Sequence, residues 1–348
     1  MADFTSNITT IASLKDAFEH VPTQEEAGTD SVVNYEYTLQ NDLDFNNEYY
    51  WFKESDFFYC NHTNIFADTT ILTENKTFYL NNKVLSNIYL TKGIRLFALT
   101  PYDTTENSSH TITFYDGTFE VISNDGTIFD VCATTLTNPG SNKLTSNIIF
   151  KNCVFNVKLL HNVADSNNST APKTLFQSSK SVTQNTGNIN TQFVNCVFNI
   201  EYTPACTDSG SMMWIYYANA SIQSCEFRIK DRSTSRSSYS APLCCHSNKK
   251  VTFNNNIIFY DTDTVWQNSI KLLYTGTNVD TSNNFLGSFY TYNTPVTINF
   301  TDMQSIFYDS DKFSRESSSG TVVVGLSTTD CKSAAALEAA GYVFANES

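Results

Sequence analysis

A six-residue unit that recurs along the chain constrains its fold more than any other feature of the sequence. The two clearest copies are Phe150–Phe155 and Phe193–Phe198, which share the pattern Phe-x-Asn-Cys-Val-Phe. Looser copies begin at positions 114, 222, 253 and 280, so the last apolar residues of the six copies fall at 119, 155, 198, 227, 258 and 285. A short unit at unequal intervals of 27 to 43 residues indicates stacked coils with loops of different length between them.

Side-chain alternation divides each copy into inward and outward residues. With Phe155 inward, Val157 is inward as well, and Lys158 points outward. Across the copies this predicts one apolar column inside and one column of alternating charge outside. The inner column is Phe119, Phe155, Phe198, Phe227, Ile258 and Phe285, and the charged column is Lys158, Glu201, Lys230 and Asp261. We therefore expect ion pairs between neighbouring coils, each worth at most about 1 kcal/mol.

The same copies align turn residues and cysteines. The turn column consists of residue types that tolerate turn geometry, namely Asp116, Asn152, Asn195, Ser224, Asn255 and Ser282. Cys153, Cys196 and Cys225 share the next position. Parallel stacking orients their Cβ atoms alike, which disfavours disulfides. We expect free, buried thiols, as in a protein assembled in a reducing cytosol.

Parallel pairing of equivalent strands aligns these columns, and crossovers between parallel strands are nearly always right-handed. We therefore predict an all-β fold, a right-handed, single-stranded parallel β-helix (a solenoid) with short helical caps at both ends. Residues 1–34 form an N-terminal helical cap and loop, 35–310 the β-helix, and 311–348 a C-terminal cap with a helix at 327–340 and a short strand. The first helix is predicted at 9–20, where the apolar face is Ile11, Leu14, Ala17 and Phe18.

Charge and segment composition exclude several classes of function. The formal net charge is −14, so the surface repels phosphates and we expect no nucleic-acid partner. Met1 to Thr10 has neither the basic start nor the apolar core of a signal peptide. No run of 18 apolar residues occurs, so we expect no membrane segment.

Features at the two ends sharpen the interpretation. Ser13-Leu14-Lys15-Asp16-Ala17-Phe18, which leads to the segment 39–45, resembles the helix-then-strand start of phage β-helices, and 329–342 resembles a short helical end cap of similar virion proteins. The chain thus resembles the pectate-lyase-like parallel β-helix proteins, and within them the bacteriophage tail-spike, tail-fibre and head-decoration group.

This resemblance implies a structural virion protein that is assembled in the host cytoplasm and forms a homotrimer. Its implied partners are other virion proteins and host-surface polysaccharide. The alternative is a polysaccharide-degrading tail spike, a glycoside hydrolase or lyase, because the family also contains such enzymes and a fold does not assign a reaction.

Glycoside hydrolysis needs two carboxylates about 5 to 9.5 Å apart. The candidates are Asp116, Glu120, Asp125 and Asp130, which lie on neighbouring predicted strands, and Glu226 is a further carboxylate. Each also has a structural interpretation: Asp116 belongs to the turn column, and Asp125 lies in an Asn-Asp-Gly turn. No Ser-His-Asp pattern, phosphate-binding loop or lyase-like calcium cluster is recognisable. We therefore expect a non-enzymatic role.

Three other groups have two interpretations each. Cys244-Cys245-His246 suggests a metal site, but no second cysteine pair supports it, so we expect neither metal nor cofactor. The outward Val154, Val197, Ile257 and Phe259 form a candidate apolar stripe that a trimer interface would bury. Seven aromatic residues line a sugar groove or contribute to core packing and subunit contact: Tyr49, Tyr50, Trp51, Phe52, Trp214, Tyr216 and Tyr217.

Overall fold

The structure is a computed structural model of the chain of 348 residues. It describes residues 2–45, 56–61, 73–91, 94–100, 109–124, 126–131, 144–161, 175–178, 187–204, 213–214, 218–231, 251–254, 256–262, 279–282, 289–290, 305–306, 317–318, 320–323 and 331–332.

Three parallel sheets contain most of the strands. The first sheet has nine strands, in the order β1 Ala2–Ile8, β2 Val32–Leu39, β5 Thr73–Tyr79, β8 Ser109–Tyr115, β11 Leu144–Lys151, β14 Gly187–Val194, β17 Asn219–Gln223, β19 Val251–Asn254 and β21 Val279–Ser282. The second has seven, in the order β3 Leu43–Asp44, β6 Val84–Leu90, β9 Thr118–Asn124, β12 Val154–His161, β15 Val197–Tyr202, β18 Glu226–Asp231 and β20 Ile257–Thr262. The third has five, in the order β4 Asp56–Asn61, β7 Arg95–Thr100, β10 Thr127–Val131, β13 Phe176–Ser178 and β16 Met213–Trp214.

From β2 to β16 the chain passes through the first, second and third sheets in a fixed cyclic order. Each strand pairs in parallel with the equivalent strand of the preceding and following pass, as β8 does with β5 and β11. The predicted all-β, parallel architecture is therefore confirmed. Five short strands follow along the chain: β22 Phe289–Tyr290, β23 Ser305–Ile306, β24 Ser317–Ser318, β25 Gly320–Val323 and β26 Cys331–Lys332.

The three sheets pack around one aromatic core. Phe97, Phe114 and Phe119 come from the third, first and second sheets, with ring centroids 5.1 Å apart for Phe97–Phe114, 6.4 Å for Phe114–Phe119 and 6.5 Å for Phe97–Phe119. Along each sheet the rings stack in register. Phe119–Phe155, Phe155–Phe198 and Phe198–Phe227 have centroid distances of 5.1, 5.1 and 4.7 Å. The predicted inner column is thus confirmed from Phe119 to Phe227.

Two short helices lie between β1 and β2 along the chain: α1 Ile11–Glu19 and α2 Gln24–Ala27. A capping box between Thr10 and Ser13 starts α1. The four apolar residues that predicted this helix are all buried, and the Phe18 ring lies 5.0 Å from that of Phe97. The predicted N-terminal helix is therefore confirmed, and it packs on the aromatic core.

The turn column adopts the left-handed backbone conformation. Asp116, Asn152, Asn195 and Ser224 have φ angles of 57°, 54°, 54° and 55°. Asn and Asp tolerate this region better than most residues with a side chain, because their short polar groups bond locally. The prediction is confirmed for these four turns, and Asn255 lies outside the described residues.

The sixth copy of the repeat is displaced by one residue from its predicted position. Thr281, and not Asp280, pairs with Phe253, so Ser282 lies in β21 opposite Asn254 and does not occupy the turn column. The physical reason is register. Pairing Thr281 with Phe253 places Asp280 opposite Thr252. The predicted register would place Asp280 opposite Phe253, in the phenylalanine column, because a slip of one residue exchanges the two faces of a strand.

The two predicted caps differ in outcome. The N-terminal 34 residues contain, besides the helix, the strand β1, which extends the first sheet, and α2 in the predicted loop. Of the predicted helix 327–340, the structure describes Cys331 and Lys332, which pair as a strand with Ser305 and Ile306. The domain boundaries at 34 and 310 remain predictions.

The outward valines do not form one stripe with Ile257 and Phe259. Val154 pairs with Val197, but Glu226 lies between Val197 and Ile257 in the same column. Phe259 belongs to another column, opposite Arg228. Glu226 therefore interrupts the apolar column that was expected to form the trimer interface.

Candidate functional site

Asp116 lies in the turn between β8 and β9. Its Oδ1 atom accepts a hydrogen bond from Asn152 Nδ2 at 2.8 Å, and Asn152 is the equivalent turn residue of the next pass. The carboxylate therefore links two neighbouring residues of the turn column.

Glu120 and Asp125 are the predicted candidates for a second carboxylate beside Asp116. Glu120 is exposed on β9, and its main chain is opposite Asn156 of β12. Asp125 lies outside the described residues. Glu226 contacts the guanidinium of Arg228 on its own strand, an arrangement of two outward side chains on one face.

Asp130 is the one candidate carboxylate of the described residues that is completely buried. Arg95 Nε lies 3.2 Å from Asp130 Oδ2, and Gln177 Nε2 donates to the same oxygen at 2.9 Å. This pairing of a buried carboxylate with a guanidinium and an amide is typical of a structural ion pair. Because Asp130 is buried and Glu120 is exposed on another sheet, the structure does not bring these two groups onto one accessible surface.

The charged column has the predicted register. Lys158 pairs with Glu201, Glu201 with Lys230, and Lys230 with Asp261. Lys158 Nζ lies 3.9 Å from Glu201 Oε1, with the two side chains 49% and 41% exposed. Such exposed pairs contribute little to stability.

The thiol column is also confirmed. Cys153, Cys196 and Cys225 are free and buried. Each thiol lies near a main-chain carbonyl of the first sheet, as Cys196 Sγ does at 3.4 Å from Phe150 O. The hydrogen bond with the Cys196 side chain is the main cause that raises the pKa of Cys153, and burial is the second. This thiol therefore stays protonated at neutral pH.

Several residues singled out in the sequence belong to parts of the chain that the structure does not describe. Cys244, Cys245 and His246 lie outside the described residues. The same holds for the predicted groove aromatics except Trp214, whose main chain pairs with Gln177 in the third sheet.

A buried charged cluster, which the sequence analysis missed, lies inside the first sheet. Glu74 and Lys76 are on β5 and His110 is on β8, and all three are at most 2% exposed. Lys76 Nζ lies 3.4 Å from Glu74 Oε1, and His110 Nδ1 lies 3.4 Å from Glu74 Oε2. Buried charges of this kind persist only when they are paired and hydrogen-bonded.

Lys76 also connects the cluster to α1. Its ammonium donates to Phe18 O at 2.8 Å and to His20 O, and it contacts Cys60 Sγ at 3.7 Å. The last carbonyls of a helix have no partner within the helix and form the negative end of its dipole. The buried lysine therefore caps the C-terminus of α1 and holds it on the core.

Ser146 extends the column of Glu74 and His110 by one strand, because β11 pairs it with His110. The order carboxylate, imidazole, hydroxyl resembles that of a Ser-His-acid triad. Ser146 is, however, 0% exposed, so no acyl substrate reaches its hydroxyl in this structure. We interpret the column as part of the core.

Alternation could have revealed this cluster. In β5, Glu74 and Lys76 are in phase with Phe78, whose ring stacks at 5.0 Å on Phe114 of the inner face. Extending the phenylalanine column into the irregular segment 49–100 therefore places both charges inside.

The outer face of the first sheet carries an amide ladder. Asn75 donates to Asn34 at 2.8 Å, Asn190 to Asn147 at 2.8 Å, and Asn219 to Asn190 at 2.8 Å. Beside it, the rings of Tyr79 and Tyr115 stack at 5.4 Å. These contacts join one pass of the chain to the next.

Two features are absent from the described part of the chain. Neither of its helices is long and apolar enough to cross a membrane. No three of its His, Cys, Asp and Glu side chains form a group that could hold a metal ion.

No protein-family model, no curated protein and no solved structure matches this chain.

Proposed function

We propose that the chain is a right-handed, single-stranded parallel β-helix and that it serves as a structural protein of a bacteriophage particle, as a tail fibre, tail spike or head-decoration component. The support for the solenoid is the fixed cyclic order in which the chain visits three parallel sheets. The right hand follows from the preference of crossovers between parallel strands.

The structural role is supported by how the polar residues are used. The Asn152–Asp116 bond, the Lys158–Glu201 pair and the amide ladder all join equivalent residues of successive passes. Asp130 is engaged by Arg95 and Gln177. Side chains arranged in this way join successive passes of the chain into one continuous stack, and this is the observation that carries the proposal.

The proposed setting follows from the family resemblance. The protein assembles in the host cytoplasm, where free thiols persist. It then joins other virion proteins and contacts host-surface glycans. A homotrimer remains part of this proposal, although Glu226 interrupts the stripe that suggested it.

The virion role is tested by looking for the chain in purified phage particles. Particles purified by density gradient from the source culture are digested for mass spectrometry and labelled with a gold-conjugated antibody against the chain. We expect its peptides in the particle fraction and gold on the particle surface. Intact particles without the chain would overturn the proposal.

The second candidate is a polysaccharide-degrading tail spike, and the complete burial of the Asp130 carboxylate beside Arg95 favours it because active sites also hold carboxylates in such surroundings. The purified chain is incubated with bacterial capsular and pectic polymers, and new reducing ends are measured. We expect none. New reducing ends would establish the enzyme instead if Asp130→Asn or Asp125→Asn abolished them and Glu25→Gln did not change them. Binding on a glycan array without product agrees with the structural role.

A further inference from the structure

β1 is the terminal strand of the first sheet, and one of its edges pairs with β2. Within the described ranges, no strand pairs with its other edge. The strand has seven residues, and its Asp3, Thr5, Ser6 and Asn7 side chains are exposed. An edge of this length is a template on which a further strand can form.

The pairing with β2 determines which backbone groups face the free edge. Ile8 O accepts a hydrogen bond from Gln40 N at 2.9 Å, so Ile8 directs its carbonyl toward β2. In a parallel pair, alternate residues bond to the same neighbour. Asp3, Thr5 and Asn7 therefore direct their N–H and C=O groups away from β2.

We propose that β1 of a second copy of this chain docks on this edge, antiparallel, with a two-fold axis between the two Thr5 residues. In this register Asp3 of each copy is opposite Asn7 of the other. All the outward N–H and C=O groups of Asp3, Thr5 and Asn7 then have partners in both copies. A shifted register leaves some of these groups unpaired, and a two-fold interface uses the same surface on both subunits.

The side chains on the outer face fit this register. Asp3 Oδ1 accepts from Asn34 Nδ2 at 2.7 Å, and Asn7 Oδ1 accepts from Gln40 Nε2 at 3.0 Å. The second carboxylate oxygen of Asp3 and the amide donor of Asn7 then face each other across the axis. The two Asp3 charges lie at opposite ends of the interface, and the amide ladder continues from one copy into the next.

Phe4 explains why the occupant is a second copy. Its ring is half-buried and stacks on Tyr35 with a centroid distance of 5.3 Å. In the proposed register Phe4 is opposite Ser6 of the other copy and diagonal to the other Phe4, and diagonal aromatic residues are within reach of each other. The dimer thus extends a two-ring stack across the axis and removes more of both Phe4 rings from water.

Each copy has a formal net charge of −14, which opposes self-association over long range. Salt screens this repulsion and leaves the backbone hydrogen bonds in place. We therefore expect the association to become tighter as salt concentration rises, which is the reverse of a complex held by opposite charges.

Sedimentation velocity of two variants tests the proposal. Thr5→Pro removes the N–H that faces the free edge and leaves the groups that bond β2 unchanged. Thr5→Val retains that N–H and is the matched control. We expect Thr5→Pro to have half the mass of the wild type and of Thr5→Val, with equal circular dichroism. Equal masses for all three proteins would refute the two-fold edge.

Cross-linking tests the register without a proline. Thr5→Cys places two introduced thiols on the axis, at the Cα separation of about 5.5 Å that suits a disulfide. Asn7→Cys is the control, because its two copies lie roughly 13 Å apart along the strands. We expect mild oxidation to link Thr5→Cys between copies, seen as one joined peptide, and not Asn7→Cys. Linkage of both variants or of neither contradicts the proposed register.

Discussion

Two lysines show at the residue scale how neighbouring strands determine what a charge does. Lys76 is 1% exposed and bonds to the carbonyls of Phe18 and His20 as well as to Glu74. Lys158 is about half exposed and pairs with Glu201 across a long contact. A lysine side chain therefore joins buried segments in one place and forms an exposed surface pair in the other.

Replacing each lysine by methionine separates these roles. Lys76→Met leaves a buried carboxylate and the end of α1 without their cation, so we expect the free energy of unfolding to fall by about 3 kcal/mol. Lys158→Met loses one exposed pair and changes that free energy by at most about 0.5 kcal/mol. Urea denaturation at neutral pH measures both. A Lys76→Met variant as stable as Lys158→Met would show that the buried cluster has no stabilising role.

At the scale of elements, the turns and the N-terminal helices determine how one pass of chain is joined to the next. The left-handed turns recur with nearly the same φ, and an amide bond links the turn of Asn152 to that of Asp116. Gly117, next to this turn, has a different constraint: a Cβ atom there would lie 2.3 Å from Leu80 Cδ1. Gly117 occupies, in its copy of the repeat, the position that Cys153 occupies in the next copy. Close packing against Leu80 explains why this position is a glycine and not a cysteine.

Asn152 provides the test of the turn. Asn152→Val places a β-branched residue at φ 54° and removes the bond to Asp116, so we expect a loss of about 2 kcal/mol in the free energy of unfolding. Asn152→Gly also removes the bond but adopts the conformation freely, and we expect a change below about 1 kcal/mol. Denaturation midpoints of the two variants give the comparison. Equal effects would mean that the side-chain bond, and not the backbone, matters.

Glu26 links the start of α2 to acid stability. Burial raises its pKa, but the Thr23 backbone N–H, the His20 charge and the hydroxyls of Thr23 and Tyr35 outweigh it, so the pKa is lowered from 4.5. The folded state then binds the proton less tightly than the unfolded chain. The stabilisation is present above the unfolded value and is lost as pH falls through the folded one.

We therefore expect the melting temperature of the wild type to fall more than that of Glu26→Gln as pH is lowered from about 5.5 to 3.5. Glu25→Gln, a change at an exposed neighbour, serves as the control and should follow the wild type. Parallel melting curves for all three proteins across this range would show that Glu26 does not contribute to acid sensitivity.

At the scale of the whole molecule, contacts run mainly between adjacent passes. The stacked pairs Phe119–Phe155 and Phe155–Phe198 illustrate this, with each ring held between its two neighbours. In arrays of this kind, stability is approximately a sum of unit terms and nearest-neighbour terms. Energetic coupling should therefore decline quickly along the core.

Double-mutant cycles measure that decline. Phe155→Leu and Phe198→Leu change two rings in contact, so we expect a coupling energy of about 0.5 to 1.5 kcal/mol. Phe78→Leu and Phe198→Leu change rings in well-separated passes, and we expect their effects to add within about 0.5 kcal/mol. Coupling of the distant pair as strong as that of the near pair would indicate a core that responds as one unit.

Much of this architecture follows from local pattern. The recurring Phe-x-Asn-Cys-x-Phe unit predicted the phenylalanine column, the turn column, the thiol column and the register of Lys158, Glu201 and Lys230. Alternation and turn chemistry are properties of a few consecutive residues, so they can be recognised without knowledge of the fold. Where the pattern was weak, at Asp280 to Phe285, the predicted register was wrong by one residue.

The sequence by itself determined the strands, the stacking of equivalent passes and the helix at Ile11–Glu19. Only the tertiary structure decided that Glu74, Lys76 and His110 are buried together, that Lys76 caps α1, and that β1 has no partner on its outer edge among the described strands. The physical reason is that these features depend on which distant segments become neighbours. Long segments of unequal length separate the partners, and the packing of strands on one another, not local pattern, selects them.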